Sequence, residues 1–332
     1  MTVKSKDKIE IDTIDGKTLA IAPVIISASR STDIPAFYSE WFMNRLKAGY
    51  VKWTNPFNQK PLYISFLNTR VIVFWTKNAE KMIKYLSDID KKGINCYFTF
   101  TINDYVEEGL EPRLPPLAKR IETFIKLSNM ICKSRVIWRA DPLILSEKLT
   151  TKILLDKIKK VGDQLKDYTE KLVISFADIN CYRKVMLNLK NSKLGEFREF
   201  TEKEEREIAA GLYELNKNWK MEIATCAEKI SLEEYGIKHN KCIDDDLMIK
   251  LWPEDSKLME FLGYKPDLLS STGERPNLKD KGQRKECGCI VSKDIGMYNT
   301  CGHFCVYCYA NDSKKTVKKN MQKTRVDSES IV

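Results

Sequence analysis

Two hydrophobic rhythms alternate along the first 250 residues. Short apolar, β-branched runs occupy Val24–Ser29, Val71–Trp75, Cys96–Thr101, Arg135–Trp138, Leu172–Phe176 and Met221–Cys226. Between them, Ala79–Ile89, Leu117–Ile131, Thr151–Gln164 and Thr201–Leu215 repeat their apolar residues at helical spacing. The runs read as buried strands and the intervening stretches as amphipathic helices. Strand and helix in alternation predict a parallel sheet with crossover helices. Six such units suit an α/β fold of the (β/α) barrel-like kind, closed TIM-type or partial, over residues 1–255.

Each apolar run ends in a polar group: SRSTD (29–33), WTKN (75–78), TIND (101–104), WRADP (138–142), FADIN (176–180) and TCAE (225–228). Parallel α/β folds gather their chemistry at the carboxyl ends of strands. Asp and Asn in such places also serve as helix caps. A cation at a helix start opposes the helix dipole, so Arg30, Lys77 and Arg139 are expected to aim into a shared cavity. Asp33, Asp141 and Asp178 would orient these cations or polar substrate groups. Structural ion pairing at the sheet rim is the competing reading.

Composition narrows the class. The chain has 332 residues, 43% hydrophobic and 31% charged, as in ordinary globular proteins. No apolar run reaches the roughly 18 residues of a membrane span, so no membrane is expected. The beginning, MTVKSKDKIEIDT, has no apolar middle region of a secretory signal, and a cytoplasmic location is expected. The formal charge is +10. Lys314, Lys315, Lys318, Lys319, Lys323 and Arg325 fall together without an acid, which reads as a basic, flexible tail over 313–332. A handle for nucleic acid is the alternative. Pro266–Lys285, rich in Pro, Gly and charge, reads as a surface loop within a C-terminal segment 256–312.

Ten cysteines are present, and clustered cysteines without a secretory context point to metal. Cys301-Gly-His-Phe-Cys305-Val-Tyr-Cys308 has the spacing C-x3-C-x2-C. Three thiolates on one loop can hold three irons of a [4Fe–4S] cube and leave the fourth open. Zinc with His303 as fourth ligand is the alternative, on a very crowded loop. Cys226, Cys242, Cys287 and Cys289 form a scattered second set, sufficient for another cluster or for structural zinc. Such a site would tie the C-terminal segment to the last barrel strand. A buried strand residue at Cys226, with only the Cys-Gly-Cys pair of consequence, is the other reading.

ISASRSTDIPAFY (26–38), TNPFN (54–58), FWTKN (74–78), LEPRLP (110–115), IWRADP (137–142), CAE (226–228), CID (242–244) and DIGMYNTCGHFCVYCYAN (294–311) together resemble the bacterial DUF1848 family over nearly the full length. That family is associated with radical-AdoMet-like iron–sulfur proteins. The terminal motif is similar to that of spore photoproduct lyase, a radical-AdoMet DNA repair enzyme. The resemblance implies that Cys301, Cys305 and Cys308 ligate the open cluster and that Tyr307 packs near the adenine of S-adenosylmethionine (AdoMet). It also implies an external electron donor such as flavodoxin or ferredoxin. Two departures stand out. The cysteine loop follows the strands instead of preceding them, as in a permuted barrel. No Gly-Gly-Glu stretch is available for the AdoMet amino group, and Glu228, Asp33 or Asn78 would have to replace it.

Three functions follow: a radical-AdoMet enzyme on an unread substrate, a nucleic-acid-processing or repair protein with the same cluster, and a non-catalytic iron–sulfur or zinc-stabilised protein. Only His239 and His303 are available as imidazoles, so acid–base chemistry centred on histidine is not expected.

Overall fold

The computed structural model describes residues 8–56, 58–192, 195–265 and 275–332. Eight strands form its main sheet: β1 (Ile25–Ala28), β2 (Val71–Thr76), β3 (Asn95–Thr101), β4 (Val136–Leu143), β5 (Lys171–Phe176), β6 (Glu222–Thr225), β7 (Ile237–His239) and β8 (Lys293–Asp294). Every neighbouring pair is parallel. The order is β7-β6-β5-β4-β3-β2-β1-β8, which is chain order with β8 laid beside β1. Right-handed crossovers in a monotonic order put all their helices on one face. This is barrel order, yet β7 and β8 share no ladder. Of the two forms expected from the rhythm, closed TIM-type or partial, no closed barrel is shown among the described residues, and the sheet is open at the seam between β7 and β8.

Side-chain alternation decides what each face does. Ile26, Ala28, Ile72, Phe74, Phe98, Phe100, Trp138, Leu172 and Ile174 point to the outer face. There they pack against the helices Ser39–Ala48, Leu117–Ile131, Thr151–Leu165 and Glu202–Trp219. The alternate residues Ile25, Val71, Val73, Tyr97, Ile137 and Val173 face the other way, onto Met248, Leu258, Met259 and Leu262 of the helices Asp245–Leu251 and Ser256–Leu262. Further along each strand the same inner register turns polar. Ser29, Trp75 and Lys77, Thr99 and Thr101, Arg139 and Asp141, and Ser175 all line one cavity at the strand exits.

A second sheet of four strands (Lys8–Thr13, Gly16–Ile21, Pro61–Ser65, Tyr50–Thr54) was not expected from the apolar rhythm. It receives the basic segment, whose reading as a flexible tail needs correction. Lys314–Lys323 is a helix capped by Ser313, with Val317 buried. Beyond it, Lys52 N donates to Glu329 O at 2.9 Å, Trp41 Nε1 donates to Ser328 O at 2.9 Å, and Ile331 is buried. Of the expected loop 266–285, residues 266–274 lie outside the described ones. Among the described residues, no helix is long and apolar enough to cross a membrane.

Candidate metal centre

The chain enters the cysteine loop from β8 through one carboxylate. Asp294 accepts from Ser27 Oγ (2.9 Å), Ser29 Oγ (2.8 Å), Arg30 N (2.8 Å) and Gly296 N (2.8 Å). Gly296 is needed there: an added Cβ would lie 1.8 Å from Ser29 Oγ and 2.5 Å from its Cβ. Gly296→Ala is expected to cost about 1–3 kcal/mol, the usual range for overpacking, read as a lower urea midpoint. A midpoint equal to wild type would mean that this crossing yields without strain.

The loop itself is anchored by Asp33 and His303. His303 Nε2 lies 2.7 Å from Asp33 Oδ2, and both residues are buried. Beside a carboxylate that nitrogen carries the proton. Asp33 also accepts from Ala36 N (2.9 Å), Thr76 Oγ1 (2.8 Å) and Lys77 N (2.7 Å). Its carboxylate thus joins the exits of β1 and β2 to the loop. Asn311 Nδ2 donates to Cys301 O at 2.9 Å, and Val306 N donates to Leu110 O at 2.9 Å. Phe304 turns the chain at φ +55° between His303 and Cys305.

Cys301, Cys305 and Cys308 line a cavity of about 420 Å³, and so do Cys226, Cys242, Cys287 and Cys289. That volume lies within the range of small-ligand sites. Burial pushes the Cys301 thiol up to about 12, Cys305 well above its usual value, and Cys308 upward. Left to the protein alone these are neutral thiols, and a bound metal would take the place of their protons. The second set converges from separate elements. Cys226 Sγ and Cys242 Sγ stand 3.5 Å apart, and Cys242 N points at Cys289 Sγ (3.3 Å).

Arg30, Lys77 and Arg139 do reach this one cavity, each beside counter-charges. Trp75 sits between two guanidinium groups, with Arg30 and Arg139 each 5.3 Å from its ring centre. Arg139 Nε donates to Asp141 Oδ2 at 2.9 Å, and Asp141 also accepts from Ser175. Burial opposes the Asp141 charge, but Arg139 holds its pKa below the usual carboxylate value. Lys77 Nζ donates to Glu111 Oε1 (2.8 Å) and reaches Tyr307 OH (3.0 Å). Tyr307 OH itself donates to Glu111. Arg120 Nη1 completes the group, 3.3 Å from Glu111 Oε2. Although burial opposes it, Glu111 stays below its usual pKa because Lys77 and Arg120 face it.

Glu228 accepts from Phe176 N at 2.8 Å, and burial pushes its carboxyl up to about 8. A folded-state pKa above the ordinary 4.5 means that folding takes up a proton between the two values. The stabilisation is complete below pH 4.5 and is lost as pH rises through about 8. Glu228→Gln keeps the acceptor and removes the ionisation. The variant should therefore gain stability relative to wild type between about pH 5 and about pH 9, seen in paired urea midpoints. A difference that stays constant would mean that Glu228 is ionised in the fold.

Two expectations change. Asn78 lies away from the cavity lining: its Oδ1 accepts from Glu80 N at 3.2 Å, at the start of a short helix. Asp33 borders the cavity but spends its oxygens on the loop and the strand exits. Asp178 lies at the cavity wall, paired with Arg284. Trp75, Glu111 and Asp294 stand inside the quoted motifs with no role read there, and Arg120 lies outside every motif. Arg30 Nη2, Trp75 Nε1 and His303 Nδ1 are buried without a hydrogen-bond partner among the described residues. Asp244, Asp245 and Asp246 bring carboxylate oxygens together elsewhere, and Lys171, Lys241 and Arg275 already engage them.

A family model described as "Domain of unknown function (DUF1848)" matches residues 25–310. No curated protein matches. Among solved structures, the chain is similar to a Bacteroides thetaiotaomicron VPI-5482 protein provisionally described as an alpha-L-fucosidase. The identity is 11% and the TM-score 0.23, over 60% of this chain and 73% of that one. A likeness of that size carries no argument about fold or chemistry.

Proposed function

The chain belongs to the DUF1848 family, and from the site it carries we propose that it is a radical-AdoMet-type enzyme whose open [4Fe–4S] cluster is held by Cys301, Cys305 and Cys308. One observation carries the reading: three half-buried thiols on a single pinned loop face a cavity at the strand exits. The donor set fits, because three thiolates serve three irons of a cube. When bound, such a cluster presents its open iron to AdoMet, and reductive cleavage supplies a 5′-deoxyadenosyl radical.

The chain's own residues prepare the surroundings. Asp33 and His303 fix the loop that carries the ligands. Glu111 and Lys77 hold the hydroxyl of Tyr307, so its ring forms a set wall of the cavity. Arg30 Nη2 and Trp75 Nε1 offer unused donors to an anionic group of AdoMet or substrate. Glu228, neutral up to about pH 8, is a proton donor in place of a fixed negative charge. An external one-electron donor such as flavodoxin or ferredoxin is the partner this chemistry needs. The nucleic-acid reading rests on the basic helix Lys314–Lys323, on the aromatic residues Tyr307 and Tyr309, and on the likeness of the terminal motif to that of a DNA repair enzyme.

The test is anaerobic reconstitution, with iron and sulfide counted and electron paramagnetic resonance of the reduced protein recorded with and without AdoMet. A cluster signal that AdoMet alters supports the reading. Zinc without sulfide, or a cluster signal indifferent to AdoMet, sinks it.

A further inference from the structure

We propose that Cys226, Cys242, Cys287 and Cys289 hold a second metal centre, a [4Fe–4S] cluster on four thiolates, which closes the unpaired seam between β7 and β8. The proposal stands on these residues and does not depend on AdoMet use at the other cysteine set.

Position is the first reason. Cys226 directly follows β6, Cys242 follows β7, and Cys287 with Cys289 precedes β8. The four are scattered over more than sixty positions of sequence, yet they line the same cavity. At the seam, where β7 and β8 form no ladder, Ile290 N still donates to Ile243 O at 3.1 Å. Gly288 lets the Cys-Gly-Cys pair lie flat on the strand-exit chain. An added Cβ would come within 3.0 Å of Lys241 Cγ and 3.2 Å of Asn240 O.

The hydrogen bonds on sulfur are the second reason. Cys242 Sγ faces Arg139 Nη1 at 2.8 Å and Asn240 Nδ2 at 3.0 Å. Cys289 Sγ faces the backbone N–H groups of Cys242 and Ile243 at 3.3 and 3.4 Å. A neutral thiol is a weak acceptor. Four donors on two sulfurs suit thiolates, and hydrogen bonds to sulfur are among the groups that tune cluster sites.

Charge agrees. Four thiolates around an iron–sulfur core leave net negative charge, and Arg139 and Arg30 stand against the set. Burial opposes the Arg30 charge, while Cys289, Asp294, Cys242 and Cys287 favour it. Zinc, with bonds of about 2.3 Å to sulfur, draws its thiolates to within roughly 4 Å of one another. Cys226 and Cys242 meet that spacing. Among the described residues, however, no three cysteine sulfurs lie within 4.8 Å of each other. The four sulfurs are not gathered round a single point in this structure.

The experiment uses the full chain, reconstituted anaerobically with iron and sulfide, in two variants. Cys301→Ala/Cys305→Ala/Cys308→Ala should retain about four iron and four sulfide per chain, with a reduced signal indifferent to AdoMet. Its melting temperature should fall when the iron is chelated. Cys242→Ser/Cys289→Ser should lose that iron and keep any AdoMet-responsive signal, which separates this centre from the open one. A triple variant without iron, or with zinc and no sulfide, overturns the proposal. If the Ser variant does not fold, the triple variant decides alone.

Discussion

Cys305→Ala should reduce the AdoMet response of the reduced protein, and any deoxyadenosine release, to background while the sheet stays folded. Cys305 is the middle ligand in the proposed site, and two remaining thiolates would not hold a cube with one open iron. The fold should survive because the loop has other anchors: His303 on Asp33, Asn311 on Cys301 O, and Val306 on Leu110 O. Cys132→Ala, at an exposed cysteine, is the matched control and should change nothing. Circular dichroism and iron analysis of the two variants side by side decide the matter. An AdoMet-sensitive signal that persists in Cys305→Ala would remove this loop from the chemistry.

Glu111→Ala should be the most destabilising single change near the cavity. Glu111 is buried and answers two cations, Lys77 at 2.8 Å and Arg120 at 3.3 Å, and the Arg120 side chain is itself buried. Truncation would leave both without a counter-charge in a region of low polarity, with only Tyr307 OH for Lys77 and the carbonyls of Pro115 and Asn103 for Arg120. Breaking a buried pair in this way costs about 3–5 kcal/mol, read as a fall in the urea midpoint. It would also remove the acceptor of the Tyr307 hydroxyl, leaving that hydroxyl to Lys77 and Asn103, so cluster-bound protein should lose part of its AdoMet response. Glu111→Gln keeps the shape and part of the bonding, and should fall between the two. A loss under about 1 kcal/mol for Glu111→Ala would mean that water reaches Lys77 and Arg120 freely.

Legibility in the sequence follows the length of the pattern. Leu117–Ile131 is readable at both ends: Pro115 and Pro116 precede it, and its apolar stripe of Ile121, Phe124 and Leu127 is fully buried. β2 and β3 are readable because they are long and apolar on both faces. β7 and β8, at three and two residues, are too short to show any period, so the seam could not be anticipated. The four-stranded sheet at the beginning is half exposed, and its alternation is correspondingly weak. Cysteine spacing identifies the loop, because spacing is local. Glu111 is invisible to that approach, since its worth comes from Lys77 and Arg120 across the fold. The clue was an arginine, Arg120, at a core-facing position of an otherwise apolar helix face. Asn78 shows the limit of reading strand exits: a polar residue there is as apt to meet the backbone of the next helix as a ligand, and its Oδ1 accepts from Glu80 N.

The distance in sequence between Asp33 and His303, 270 positions, also has a meaning in time. A ribosome delivers Asp33, Ser29 and Arg30 early, and these groups must wait for His303 and Asp294 to emerge. Seven strands of the main sheet, β1 to β7, and their helices can pack before any of the three loop cysteines exists. On the proposed reading, metal would reach that loop late, after most of the body has emerged, and a chain that stalls before residue 301 would have no means of carrying the open cluster.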